Sequence, residues 1–186
     1  MFRTTFTHTY TTPLPPSSSR SLAISLLHDF PLMITLNPLV KHYELLPDPP
    51  EPTFKSSSPK NPNAKIIAQD WDVEYAVTDL VSYLPWHLWD SRVTYTAKFR
   101  LTEDGMESRV NAPAGVVSDA KWWVAEAEDG SLVLEEEAEV SSNRMLARAV
   151  RGQMKESHGI LASRFLERLE ERRVAEKGKR GESRED

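Results

Sequence analysis

The chain divides by the spacing of its apolar residues. Trp71, Val73, Tyr75 and Val77 alternate with Asp70, Asp72, Glu74, Ala76 and Thr78. Val93, Tyr95, Ala97, Phe99 and Leu101 alternate in the same way with Arg92, Thr94, Thr96, Lys98 and Arg100. Successive side chains of a strand leave on opposite faces, so this pattern gives one buried and one wet face, as in antiparallel sheet. Glu103-Asp104-Gly105 turns the chain, and 106–112 returns as the second arm of a hairpin. Two more arms, 120–126 and 131–140, flank the turn Glu128-Asp129-Gly130. At the N-terminal end, Phe2, Phe6 and Tyr10 share one face of a first strand, which Pro13, Pro15 and Pro16 stop. A further strand is predicted over 39–46.

From Asn143 the period becomes helical. Leu146, Val150, Met154, Leu161, Phe165 and Leu169 form one stripe at steps of four, with one step of seven between Met154 and Leu161. Arg144, Arg148, Arg151, Lys155, Arg164, Arg168 and Arg172 occupy most of the rest, which predicts one long amphipathic helix over 143–174. Two short helices are predicted after the first strand. Ser17–Ser19 offer N-caps for 19–29, where Leu22, Leu26 and Phe30 recur at helical spacing, and Pro31 starts a turn that Asn37-Pro38 ends. The order is strand, two short helices, six strands, long helix. A twisted sheet of about seven antiparallel strands cannot cover its own concave face, so the long helix must, and the fold class is α+β. One ligand-binding domain is expected over 1–174. Within it, 47–64 reads as a flexible Pro/Ser-rich loop, and 175–186 as a disordered charged tail.

Composition narrows the function. With 39% hydrophobic and 27% charged residues among 186, the chain can bury a core. A net charge of −5 argues against nucleic acid as a partner. The absence of cysteine excludes disulfides and thiolate chemistry and is compatible with the cytoplasmic location we expect. The longest apolar stretch, 22–36, is interrupted by Ser25, His28, Asp29 and Pro31, so no membrane span is expected. The first 28 residues carry Arg3 and Arg20, many Ser and Thr, and no acid, the composition of a cleaved transit peptide; the strand reading of Phe2, Phe6 and Tyr10 is the alternative we favour. No His-x3-His or His-Glu-x2-His spacing occurs, so neither a metal site nor a cofactor is expected.

Three polar residues fall in phase with buried positions. Asp79 continues the series from Trp71 to Val77, Glu136 lies between Leu134 and Ala138, and His158 lies on the stripe between Met154 and Leu161. A charge on an apolar face costs several kcal/mol unless it is paired, so each needs an explanation. As a catalytic set, His158 would move a proton near neutral pH, with Asp79 or Glu136 orienting it. As structural groups, Asp79 would cap backbone N–H groups, a bulge would turn Glu136 outward, and His158 would bond a core tyrosine. Trp71, Tyr75, Tyr95, Phe99, Trp122, Met154 and Leu161 are the expected ligand contacts, since a concave sheet face serves as core and as pocket wall.

The order of elements, with Thr12-Pro13-Leu14-Pro15-Pro16, Leu36-Asn37-Pro38-Leu39-Val40, Thr78-Asp79, Ser82-Tyr83-Leu84-Pro85, Ala112-Pro113-Ala114-Gly115 and Lys121-Trp122, resembles the START/Bet v 1-like superfamily and, within it, a fungal family of uncharacterised domains. The resemblance covers 2–173 and implies the helix-grip fold, with a hydrophobic small molecule as partner. It departs from the pattern in the long loop 47–64 and in Trp86-His87-Leu88-Trp89, either of which could rim the entrance. Relatives carry lipids and sterols or cyclise polyketides. The resemblance thus implies a cyclase-like enzyme of secondary metabolism, closing a ring by aldol or lactone/pyrone formation, or a non-catalytic lipid or sterol carrier. A homodimer is left open.

Overall fold

A computed structural model describes residues 3–47, 71–82 and 90–182. Most of the expected 47–64 loop, Phe2, the 83–89 segment with its aromatic residues, and 183–186 lie outside the described residues. The elements run β1 (Arg3–Pro13), α1 (Arg20–Leu27), α2 (Phe30–Leu36), β2 (Val40–Leu45), β3 (Val73–Ser82), β4 (Asp90–Leu101), β5 (Gly105–Ala112), a 3-10 turn (Pro113–Gly115), β6 (Val116–Glu126), β7 (Leu132–Asn143) and α3 (Ala147–Glu182). The seven strands form one antiparallel sheet in the order β1-β7-β6-β5-β4-β3-β2. This is the helix-grip fold: α3 lies in the concave face, and α1 and α2 close one end.

The alternation sets the faces. Tyr75, Val77, Ala97, Phe99, Met106, Trp122, Val124 and Leu134 point inward and meet Leu161, Phe165 and Leu169 of α3 in one apolar cluster. Phe165 and Leu169 are fully buried. A second cluster joins Phe6, Ala138 and Val140 to Met154 near the start of the helix. The outer face carries charge pairs across strands, such as Lys98–Glu74 and Arg109–Asp119. Gly105 opens β5 because the strand crosses close to its neighbour: a Cβ there would lie 1.9 Å from the Trp122 carbonyl oxygen.

Caps and ties fix the helices. The Ser19 hydroxyl accepts from the Leu22 N–H at the start of α1, and the Asp29 carboxylate accepts from the Leu32 N–H at the start of α2. Arg172 of α3 donates to Asp29, and Arg164 donates to the Leu36 carbonyl, which pins the long helix to both ends of α2.

Several boundaries differ from the sequence reading. β6 starts at Val116 rather than 120, and β7 runs on to Asn143. Ser118 and Ser142 hold positions that share the phase of the buried residues, which hid the alternation. β1 reaches Pro13, tolerated because β1 is an edge strand and a missing N–H costs no ladder bond on its open side. Helix α3 begins at Ala147 and continues to Glu182, through the segment expected to be a disordered tail. Residues 175–178 are exposed, so burial does not hold them in the helix. Ala175, Glu176 and Lys177 are strong helix formers, and adding turns to an anchored helix avoids the cost of nucleation. Among the described residues no helix is long and apolar enough to cross a membrane.

Candidate functional site

The concave face is not filled completely. Between the sheet, α2 and α3 lies a cavity of about 620 Å³, walled by aliphatic side chains such as Val77, Val110 and Val140 from the sheet, Ile34 from α2 and Val150 from α3. Of the residues singled out in the sequence, Asp79, Tyr95, Phe99, Trp122, Met154, His158 and Leu161 line it. Trp71 and Tyr75 do not. β3 begins only at Val73, and Trp71 instead lies beneath the Arg100 guanidinium, 5.5 Å from its ring. Tyr75 is buried in the core, edge-on to Phe99 and Tyr43. Its side chain is consumed in packing at the closed end.

Among the residues that line this mostly apolar space, two ionisable groups, Asp79 and His158, come from different elements. On β3, Asp79 is 7% exposed and accepts from the Tyr95 hydroxyl of β4, 3.1 and 3.2 Å from its two carboxylate oxygens. Burial pushes the Asp79 carboxyl up to about 6, against the lowering effect of the Tyr95 hydrogen bond. Burial, then the neighbouring carboxylate, holds the Tyr95 phenol well above its ordinary range. Asp79 therefore bonds a side-chain hydroxyl where a backbone cap was one alternative.

On α3, His158 reaches down to the sheet. Its Nδ1 is hydrogen-bonded to Oε1 of Glu136, which rises from the middle of β7 with a fully buried side chain. Glu136 keeps its inward phase, so no bulge turns it out: β7 pairs without interruption with Trp122 and Tyr10 on either side. His158 packs near Trp122, ring centroids 5.8 Å apart. The structure thus brings Glu136, and not Asp79, to His158. Asp79 lies on a strand at the opposite side of the sheet order from β7 and is engaged with Tyr95.

Sequence reasoning missed a third member of this group. His8 of β1 projects beside Glu136, with Nε2 3.9 Å from Oε2, and its ring meets His158 edge-on at 5.7 Å. Burial pushes the His8 imidazole below its ordinary value, opposed by the Glu136 charge and assisted by His158 and Lys155. Both His8 Nε2 and Glu136 Oε2 are buried without a hydrogen-bond partner. The signal was present, since His8 is in phase with Phe6 and Tyr10. It was unreadable because its partner lies on a strand far along the chain.

The chain belongs to a family described as a domain of unknown function, DUF7053, matched over residues 3–171. No curated protein matches it in sequence. Solved structures share its fold. An aromatase/cyclase, Zhui, from a Streptomyces species is 12% identical, with 92% of this chain and 96% of that chain covered and a TM-score of 0.58. A START superfamily protein from Mycobacterium smegmatis is 10% identical over 90% of this chain and 97% of its own, with a TM-score of 0.56. The di-domain aromatase/cyclase StfQ from the steffimycin biosynthetic pathway is 16% identical over 90% of this chain and 47% of its own, with a TM-score of 0.56. At these identities the likeness establishes the fold.

Proposed function

We propose that the chain takes a flexible hydrophobic molecule of polyketide type into its cavity and promotes intramolecular ring closure, as a cyclase-like enzyme of secondary metabolism. One observation carries this reading: His158 lines a mostly apolar cavity with Nδ1 committed to the buried Glu136 carboxylate. That bond fixes the tautomer. Nδ1 carries the proton and donates to Glu136, and Nε2 is left as the nitrogen able to accept one. In an aldol closure Nε2 takes a proton from the carbon between two carbonyls of the substrate. The resulting enolate carbon attacks a distant carbonyl carbon, the new C–C bond forms, and the alkoxide oxygen recovers the proton from the imidazolium. Glu136 stabilises that imidazolium while it exists. The cavity wall contributes by holding the chain in a folded conformer, which converts a rare encounter into a local one. Asp79 and Tyr95 serve as a separate polar anchor for the substrate rather than as orienting groups for His158.

The test pairs a ring-closure assay on an unsaturated polyketide thioester or acid with titration of an apolar fluorescent probe. His158→Leu should lose turnover by about 100-fold or more while probe binding changes little, because leucine keeps most of the apolar volume and removes the proton acceptor. Full turnover by that variant would remove His158 from the mechanism. A second reading, a non-catalytic lipid or sterol carrier, is favoured by the mostly apolar walls and the likeness to a START protein. Good probe binding with no cyclisation by the wild type would decide for it.

A further inference from the structure

The cavity reading uses His158 and one oxygen of Glu136, and leaves His8 and the other oxygen unexplained. These atoms point at each other across a gap too wide for a hydrogen bond. His8 Nε2 and Glu136 Oε2 are 3.9 Å apart, both buried and both without a partner. The carboxylate that carries the orphan oxygen has a fully buried side chain. Leaving two such groups unmatched is costly in a folded core, where buried polar atoms are nearly always satisfied.

We propose that His8, Glu136 and His158 form a binding site for a divalent transition cation of the zinc class. One ligand atom from each of the three residues lies within 4.8 Å of the others. Ligand arms of about 2.0–2.1 Å around a tetrahedral ion place donor atoms about 3.3 Å apart, so side-chain rotations of the order of 1 Å would close the set on an ion. Two imidazoles and one carboxylate are the donor set of open, three-ligand zinc sites and of related first-row metals; calcium and magnesium prefer all-oxygen shells. The ion would supply the missing partner of both orphan atoms and neutralise the buried carboxylate. Lys155, the cation in the field of His8, is exposed and free to swing toward solvent. The three ligands sit on β1, β7 and α3, so the ion would also fasten the edge strand and the helix to the middle of the sheet.

Occupancy has a consequence at the cavity, and this part rests on the ring-closure reading. In the metal-free state the proton on Nδ1 of His158 goes to Glu136. A cation on Nδ1 replaces that proton, so Nε2 carries the N–H instead. His158 then donates into the cavity and no longer accepts, which makes the loaded state inactive as a base while the cavity stays intact.

The test uses the full chain, stripped with a chelator and titrated with Co2+. Visible absorption bands of a low-coordinate ion should appear and saturate at one ion per chain. Zn2+ should abolish them by competition and raise the melting temperature, whereas Mg2+ and Ca2+ should do neither. His8→Gln and Glu136→Gln should each weaken Co2+ binding by about tenfold or more. Replacing the exposed His42 by alanine should leave binding unchanged. Both site variants are first melted without metal, and His8→Gln, on the edge strand, keeps the test readable if Glu136→Gln does not fold. No saturable Co2+ binding by the wild type, or equal binding by His8→Gln, overturns the proposal, as does loss of binding in His42→Ala. These readouts need no substrate, so they stand even if the chain closes no ring. If it does, zinc should suppress turnover in the wild type and not in His8→Gln.

Discussion

Asp79 shows how a single environment changes what a side chain does. Its carboxyl, raised from 3.8 to about 6 by burial, holds a proton in the folded state over a range where the unfolded chain has released it. Protons are therefore taken up on folding between about pH 4 and pH 6, and stability contributed by this group is fully present below 4 and lost as the pH rises through 6. The shift corresponds to about 3 kcal/mol, an upper bound for one group. Asp79→Asn should flatten that part of the stability profile and raise stability above pH 6. Urea melts of both proteins from pH 4 to 8 measure the difference directly; parallel profiles would mean the carboxyl titrates at its ordinary value. Glu136 has the His158 imidazole within hydrogen-bonding reach. Glu136→Ala should destabilise the fold and release His158, and the loss of turnover should exceed the loss of probe affinity.

Among the elements, α3 does the most. Its buried stripe from Met154 to Leu169 covers the sheet, and its arginines tie down the two ends of α2. Phe165 is fully buried at the centre of this packing. Losing the ring costs about 3–5 kcal/mol, and Phe165→Asp adds an unpaired buried charge. That variant should melt far below the wild type or fail to fold, as circular dichroism would show. The C-terminal end of the same helix behaves differently. Residues 175–178 are exposed, so a chain ending before Lys177 should keep its melting temperature and its probe affinity within error. A clear loss of either would mean that the helix end has a docking partner.

For the whole molecule, the expectation is a ligand of tens of heavy atoms or fewer, since about 620 Å³ lies in the range of small-molecule sites. An apolar probe should bind inside with saturation and be displaced by polyketide-like or sterol-like competitors. Val110→Trp, on the cavity wall, should block the probe while leaving the fold intact; unchanged binding would place the probe on the surface instead.

The sequence by itself determined the sheet, the helices and their order. Periods of two and of about four are local, and a face that is apolar along its length must be buried wherever the chain goes. It also marked Asp79, Glu136 and His158 as polar groups in buried phase, because phase along one element is a local property. Only the tertiary structure decided which of these meet. Glu136 reaches His158 because β7 passes under α3 and pairs with β1, which in turn brings His8 to the same carboxylate. Asp79, equally in phase, is carried to the other side of the sheet and meets Tyr95. Trp71 kept the alternation and still left the cavity, since β3 starts two residues after it. Spacing along one strand or helix says which face a residue takes, whereas strand order and the crossing of a helix over the sheet are set by the packing of all the elements at once.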